Sequence, residues 1–277
     1  MEKDRPYSYL VHECSSALKR RIFKEDKEMS TKTSIEWTEQ TWNPTTGCTK
    51  ISPGCQNCYA EVMARRLKAI GVKGYENGFD LTLQPHRLHE PLQRKKPTMY
   101  FVNSMSDLFH EEVPNEYIRE VFEVIKRSPQ HTFQILTKRA DRMAEFLELY
   151  DTPPNAWIGV TVEDKRYGIP RIDKLLKVKA LVRFLSIEPL LQDLGDLNLK
   201  KIHWVIIGGE SGPKARPMEL EWIRNIKQQC EENNISFFFK QWGGWGADGK
   251  KRSKKINGRV LFGRTWNGMP KFALNNA

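Results

Sequence analysis

No apolar run in this chain approaches the ~18 consecutive residues that a membrane-spanning helix needs. Its N-terminus also lacks the apolar stretch and small-residue cleavage site of a secretory signal. The expectation is a cytoplasmic protein with no membrane partner. Cysteine is scarce. There are five, and three of them, Cys48, Cys55 and Cys58, fall within eleven residues. An oxidised framework more often presents an even, dispersed set, and in a reducing compartment such a cluster is expected to bind metal or do chemistry. Cys14 and Cys230 stand alone and read as structural or incidental thiols. Acidic residues are missing from the C-terminus: Gly249 to Ala277 hold eight Lys and Arg and no Asp or Glu. The net charge of +11 is therefore mostly a property of that segment, because residues 30–248 carry 30 basic against 28 acidic side chains.

What is present suits one α/β barrel or two smaller domains, since 277 residues with 39% hydrophobic content can bury a substantial core. Residues 1–28 are charge-rich, with one apolar patch at Tyr9-Leu10-Val11, and Met29-Ser30-Thr31-Lys32 reads like a natural start. They are expected to form a poorly ordered or loosely docked extension. A barrel domain over 29–248 and a basic tail over 249–277 complete the organisation. Strands are expected at Phe79–Leu83, Met99–Asn103, Thr132–Leu136, Trp157–Val162, Val182–Ile187, Trp204–Ile207 and Ser236–Phe239, with another short one leading into the cysteines. Helices are expected at Cys58–Ile70, Asn115–Lys126, Ala140–Leu149, Asp164–Leu176 and Glu219–Asn233. Continuous apolar strands suit a parallel sheet covered on both faces, and the alternation implies right-handed βαβ units. The fold class is α/β: a single (β/α) barrel, complete or partial. A doubly wound open sheet is the alternative.

Nearly every expected strand ends in polar residues, and the C-terminal ends of parallel strands form the catalytic face of such barrels. Ser104 and Asp107 follow Asn103, while Lys138 and Arg139 follow Thr137. Glu163, Glu188 and Glu210 each lie just past a strand, as do Lys240 and Gln241. Some of these simply mark where strands stop and helix caps begin, which accounts for Asp164, Ser211 and Asp107. It accounts poorly for Glu188 before Pro189, or for Lys240-Gln241 after three phenylalanines.

The cysteines form a C-x6-C-x2-C motif on a loop containing Gly47, Pro53 and Gly54, immediately before a helix. Three close thiolates can hold one face of a cubane cluster and leave one iron without a protein ligand. That open iron can take the amino and carboxylate groups of a small molecule such as S-adenosylmethionine. Zinc is the rival, since Cys₃ with one His or Asp makes a closed structural site. The histidines nearest in sequence, His86 and His89, lie some thirty residues on.

Several stretches carry a resemblance. They are Thr-Ser-Ile-Glu-Trp-Thr-Glu (33–39), Thr-Trp-Asn-Pro-Thr-Thr-Gly-Cys (41–48), Pro-Gly-Cys-Gln-Asn-Cys-Tyr-Ala-Glu (53–61), Phe-Val-Asn-Ser-Met-Ser-Asp-Leu-Phe-His (101–110), Phe-Leu-Ser-Ile-Glu-Pro-Leu-Leu (184–191), Gly-Gly-Glu-Ser-Gly-Pro (208–213) and Phe-Phe-Lys-Gln-Trp-Gly-Gly (238–244). Together they closely resemble a family of phages and bacteria described as phage-type three-Cys-motif proteins and related to radical S-adenosylmethionine enzymes. The resemblance covers about residues 30–270. It implies a radical-S-adenosylmethionine-like barrel in which Cys48, Cys55 and Cys58 hold a [4Fe–4S] cluster, S-adenosylmethionine binds, and a 5′-deoxyadenosyl radical forms. The usual radical motif is C-x3-C-x2-C with an aromatic before the last cysteine. Here the first gap is six, Asn57 occupies the aromatic position, and Tyr59 follows the last cysteine.

Within that frame Asn103, Ser104, Asp107, Lys138, Glu163 and Glu188 are the candidate cofactor contacts, and Glu210, Lys240 and Gln241 the candidate catalytic residues. An external electron donor is implied, and the need for a second protein stays open. Trp242, Trp245 and Trp266 lie beside Lys250, Lys251, Arg252, Lys254 and Lys255, a combination suited to stacking bases while cations hold phosphates. Nucleic-acid repair or modification is the leading function. The bland alternatives are a solvated basic segment and tryptophans that seal the barrel end. The rival functions are a zinc-stabilised nucleic-acid-binding protein without catalysis and a radical enzyme acting on a peptide or small molecule.

Overall fold

The computed structural model describes Thr33 and residues 35–271. The expected extension over 1–28, with Cys14, lies outside the described residues. Among those described, nine strands form two sheets: β1 (Gln40–Trp42), β2 (Thr45–Thr46), β3 (Thr82–Leu83), β4 (Met99–Val102), β5 (Thr132–Thr137), β6 (Ala156–Thr161), β7 (Val182–Ile187), β8 (Trp204–Gly208) and β9 (Ser236–Gln241). Seven make one parallel sheet in the order β1-β4-β5-β6-β7-β8-β9. Strands that follow one another in space as they do in sequence are singly wound. A doubly wound sheet would reverse direction part-way, so that alternative falls. With β1 and β9 as its two ends, the sheet is an open, partial (β/α) barrel.

The expected strand over Phe79–Leu83 is corrected. A turn in which Asp80 N donates to Asn77 O (3.4 Å) occupies its first half, and only Thr82–Leu83 pairs, antiparallel with Thr45–Thr46 in a separate small sheet.

Five longer helices follow the expectations closely: α1 (Tyr59–Ala69), α2 (Asn115–Lys126), α3 (Ala140–Leu149), α4 (Ile169–Lys177) and α5 (Leu220–Glu232). In α2 the buried set Tyr117, Ile118, Val121, Phe122, Val124 and Ile125 recurs at helical spacing, and Lys126 in its last turn complements the helix dipole. Helix α4 begins later than expected. Asp164 Oδ1 accepts from Tyr167 N (2.6 Å) and holds residues 164–167 in a turn before the helix. No helix among the described residues is long and apolar enough to cross a membrane.

The strands alternate between two apolar layers. Tyr100, Ile135, Ile158, Leu185, Val205 and Phe239 join the buried faces of α2–α5 in the main core. Phe101, Trp157, Phe184, Trp204, Ile206 and Phe238 point the other way and pack with Trp37. Helices therefore cover one face, and the concave face carries its own aromatic floor near the N-terminal ends of the strands. Gly159 belongs to that floor: a Cβ there would sit 2.5 Å from the Phe184 ring, so the absence of a side chain lets the ring lie on β6.

The basic segment does not trail from the domain. Phe239 N donates to Trp266 O (3.0 Å), Gly268 N donates to Phe237 O (2.9 Å), and Phe238 bridges Asn267 antiparallel. This return covers the outer edge of β9, an edge that would otherwise offer unpaired backbone groups.

Candidate functional site

The segment from Gly47 to Cys58 lies against the C-terminal ends of β5, β6 and β8, and each end grips it differently. It enters through Gly47 at φ +81°, where a Cβ would stand 2.1 Å from Asp80 O, so the close approach requires glycine. Two residues beyond β5, Arg139 donates to Cys48 Sγ (3.4 Å), Thr49 Oγ1 (2.8 Å) and Thr49 O (3.3 Å). Asp107 (3.3 Å) and Glu111 (2.9 Å) hold its guanidinium. Beyond β6, the fully buried Glu163 accepts from Ser52 Oγ and from Arg171 Nη1 (2.6 Å). Beyond β8, Glu210 accepts from Asn57 Nδ2 (3.0 Å) and from Arg216 Nη2 (2.6 Å). The same Arg216 donates to Pro53 O (2.9 Å) and Gln56 Oε1 (3.3 Å).

Burial pushes both carboxyls up. In Glu163 the charges of Lys138 and Arg171 outweigh it; in Glu210 the hydrogen bonds from Arg216 and Asn57 do so. Each ends below the usual carboxylate range and is ionised at neutral pH.

Cys48, Cys55 and Cys58 are free and half-buried. Burial raises the Cys48 thiol to about 11, the Asp107 carboxylate pushes the same way, and Arg139 opposes both. Cys58 stands at the N-terminal boundary of α1 and packs with Ala60, Ala64, Tyr75 and Met105. Cys230 is a core thiol in α5.

Among the described residues, no three His, Cys, Asp or Glu side chains are gathered as they stand into a group that could hold a metal ion. The donor chemistry nevertheless fits an iron–sulfur cluster. Three free thiols sit on one loop with little regular structure, and thiolates that ligate must lose their protons as the metal enters. The fit to a closed zinc site is poorer. The histidine that touches the motif loop is His110, whose Nε2 lies 2.9 Å from Thr49 Oγ1. Its Nδ1 accepts from Glu112 N (3.2 Å), which leaves the proton on Nε2. Burial and the Arg139 charge lower its pKa, so it is a neutral ring with both nitrogens engaged.

Of the other expected residues, Lys138, Glu188 and Lys240 continue the inward register of the aromatic floor. Lys138 Nζ donates to Thr161 Oγ1 (3.3 Å). Lys240 pairs with both oxygens of Glu188, at 2.8 and 3.0 Å, and this pair is partly exposed. Asn103, at φ +60°, donates to Thr45 Oγ1, while its Oδ1 is buried without a partner. Ser104 donates to Asn43 Oδ1 (3.1 Å), and its carbonyl accepts from Tyr59 OH.

Asp107 is fully committed to protein groups. It accepts from Thr137 Oγ1 (2.7 Å), Phe109 N (3.0 Å), Lys138 N (3.0 Å) and Arg139. Gln241 faces away from that register and donates to Gly209 O (3.1 Å) and Ser211 Oγ (2.9 Å).

Trp242 is corrected as a stacking residue. It is 3% exposed, donates to Val260 O (2.8 Å) and packs edge-on against Phe239. Trp245 is half-buried, with Lys251 Nζ 5.5 Å from its ring centroid. In the basic run, Arg252 pairs with Asp248 (2.5 Å) and Lys254 with Glu36 (3.5 Å), whereas Lys250 and Lys255 are exposed and form no ion pair among the described residues.

The residues that sequence reasoning missed are the clamps: Ser52, Asn57, His110, Arg171 and Arg216, with Arg139 noted only as a strand-end residue. Arg139 and Arg216 carried a signal: Arg139 directly follows Lys138 past the end of β5, and Arg216 lies six residues beyond Glu210. A surface groove of about 650 Å³ between α3 and α4, lined by Asp141, Glu145, Lys174 and Lys177 among others, contains none of these groups.

A family model described as protein of unknown function (DUF5131) matches residues 32–270. The chain belongs to this family. The match begins near the first described residues and runs through the cysteine loop, every strand of the large sheet and the basic return along β9. Among curated proteins no sequence match is found. Among solved structures, the chain is similar to a spore photoproduct lyase complexed with dinucleoside spore photoproduct, at 12% identity and a TM-score of 0.42. A double-substituted spore photoproduct lyase with bound AdoMet and the same dinucleoside gives 14% and 0.42. Each match covers 74% of this chain and 65% of the other, so the chain spans just under two thirds of the length of those proteins.

Proposed function

We propose that the protein is a radical S-adenosylmethionine-type iron–sulfur enzyme that repairs or modifies nucleic acid, supplied with electrons by an external donor. The observation that carries this reading is the placement of three free cysteines on one loop, clamped to the C-terminal rim of a singly wound parallel sheet. The sequence resemblance to the radical family supports it. Cys48, Cys55 and Cys58 would hold a [4Fe–4S] cluster, which when bound supplies the electron that cleaves S-adenosylmethionine.

The chain's own residues do the rest. Arg139, Glu163 and the Arg216–Glu210 pair fix the loop over the concave face. The floor of Trp157, Phe184, Trp204 and Phe238 excludes water from beneath the reacting groups. Glu188 and Lys240 are the accessible charged pair on that face. Glu188 is suited to accept from ribose hydroxyls, and Lys240 to pair with a carboxylate or phosphate. Glu163 is less free for such a role, because its oxygens already accept from Ser52 and Arg171.

The test is anaerobic incubation of the reconstituted protein with dithionite and S-adenosylmethionine, followed by chromatography for 5′-deoxyadenosine. Release that is lost in Cys55→Ala supports the reading; intact S-adenosylmethionine in a protein holding its cluster would refute it. Addition of oligonucleotide should stimulate release, and stimulation by peptide instead would move the substrate to that class.

A further inference from the structure

The C-terminal return ends one excursion in a two-residue hairpin. Leu261 and Arg264 exchange backbone hydrogen bonds at 2.9 and 3.2 Å, with Phe262 and Gly263 at the tip. Both tip residues have positive φ, +50° and +77°, the backbone that Asn-Gly or Asp-Gly adopts most readily. A bulky aromatic in this conformation carries a steric cost that asparagine would not. Phe262 does not recover that cost by burial, since it is 39% exposed. Neither turn chemistry nor core packing accounts for the residue, and such an outlier points toward a role at the surface.

The surroundings are cationic. The Arg224 guanidinium lies 4.9 Å from the Phe262 ring, and Arg264 and Lys227 lie 3.7 and 4.4 Å from the Trp266 ring next to it. Residues 249–271 contain no acidic side chain. Among the described residues Lys250, Lys255 and Arg264 form no ion pair, while Glu221 and Glu231 on α5 are taken by Arg224 and Lys227. The same return touches the rim: Lys251 Nζ donates to Pro213 O (2.7 Å) and Trp245 Nε1 to Ala215 O (2.7 Å), in the turn that leads to Arg216.

We infer that the Phe262 hairpin, with Arg264, is a single-stranded nucleic-acid platform that stacks a base on Phe262 and leads the strand along the basic return toward the C-terminal rim. This deepens the nucleic-acid part of the reading above and rests on it. Isolated aromatics interleaved with cations suit base stacking plus phosphate neutralisation. A bilayer-seated face would need a contiguous apolar stripe; here Asn257, Gly258 and Arg259 separate Ile256 from Val260, and Leu261, between Val260 and Phe262, is turned into the core.

The experiment is fluorescence anisotropy of labelled oligothymidine with the full-length protein, wild type against Phe262→Ala, Phe262→Asn and Phe262→Tyr, each titrated with salt. Phe262→Ala and Phe262→Asn should weaken binding on the order of ten-fold without changing the salt slope, and Phe262→Tyr should retain it. Phe262→Asn should also raise the melting temperature, so affinity and stability would move in opposite directions, which loss of fold cannot produce. Arg264→Gln should lower the slope by about 0.7. Unchanged affinity in Phe262→Ala, or binding to phosphatidylserine vesicles with none to the oligonucleotide, would overturn the inference. Because binding is read without cofactor, it fails or stands independently of 5′-deoxyadenosine release.

Discussion

Replacing Glu163 by Gln keeps the size of the side chain but removes the charge facing Arg171, 2.6 Å away. Glu163 is fully buried and Arg171 nearly so, so the substitution leaves a desolvated, uncompensated guanidinium whose Nη1 keeps the Thr161 carbonyl (2.8 Å) as its other partner. Removing one member of a buried pair costs about 3–5 kcal/mol. At roughly 2–4 °C per kcal/mol for a chain of this size, the melting temperature should fall by about 6–20 °C. The sign with pH follows from the direction of the shift. Glu163 is held below its ordinary value in the folded protein, so its contribution is present above the unfolded pKa of about 4.3 and is lost as pH falls through the folded value. Urea unfolding of wild type and Glu163→Gln at neutral pH and at descending pH should give curves that are far apart at pH 7 and converge in acid. A difference under about 1 kcal/mol at pH 7, the range of an exposed pair, would refute the reasoning.

Two further perturbations probe the concave floor and the basic return. Gly159→Ala should cost about 1–3 kcal/mol through overpacking against Phe184, read as a lower urea midpoint with an unchanged slope, and unaltered stability would contradict the observed contact. Neutralising Lys250, Lys251 and Lys255 together should lower the log-affinity against log-salt slope for nucleic acid by up to about 2.1 for single strands or about 2.7 for duplex; Arg252 and Lys254, already paired with Asp248 and Glu36, should add less, and equal slopes would remove the run from the interface.

The architecture was legible because its signals are local. Apolar strands such as Trp204–Gly208 and the helical spacing in α2 report their own structure, and the polar residues after each strand mark the rim. The clamps on the cysteine loop were not legible because they join distant positions. Arg139 meets Cys48 across 91 residues and Arg216 meets Pro53 across 163, and no periodicity records such a pairing. Trp242 was misjudged for the converse reason. It adjoins the basic run in sequence, but the chain turns inward after β9 and buries the indole against Phe239. Phe79–Leu83 has a strand's composition, yet a local turn takes its first half.

The central claim is that Cys48, Cys55 and Cys58 together hold an iron–sulfur cluster, and anaerobic reconstitution with iron and sulfide analysis tests it most directly. The account predicts about four irons per chain with a visible charge-transfer band, lost in Cys48→Ala, Cys55→Ala and Cys58→Ala and kept in Cys230→Ala. Stoichiometric zinc with no iron, or full iron content in any of the three loop variants, would contradict it.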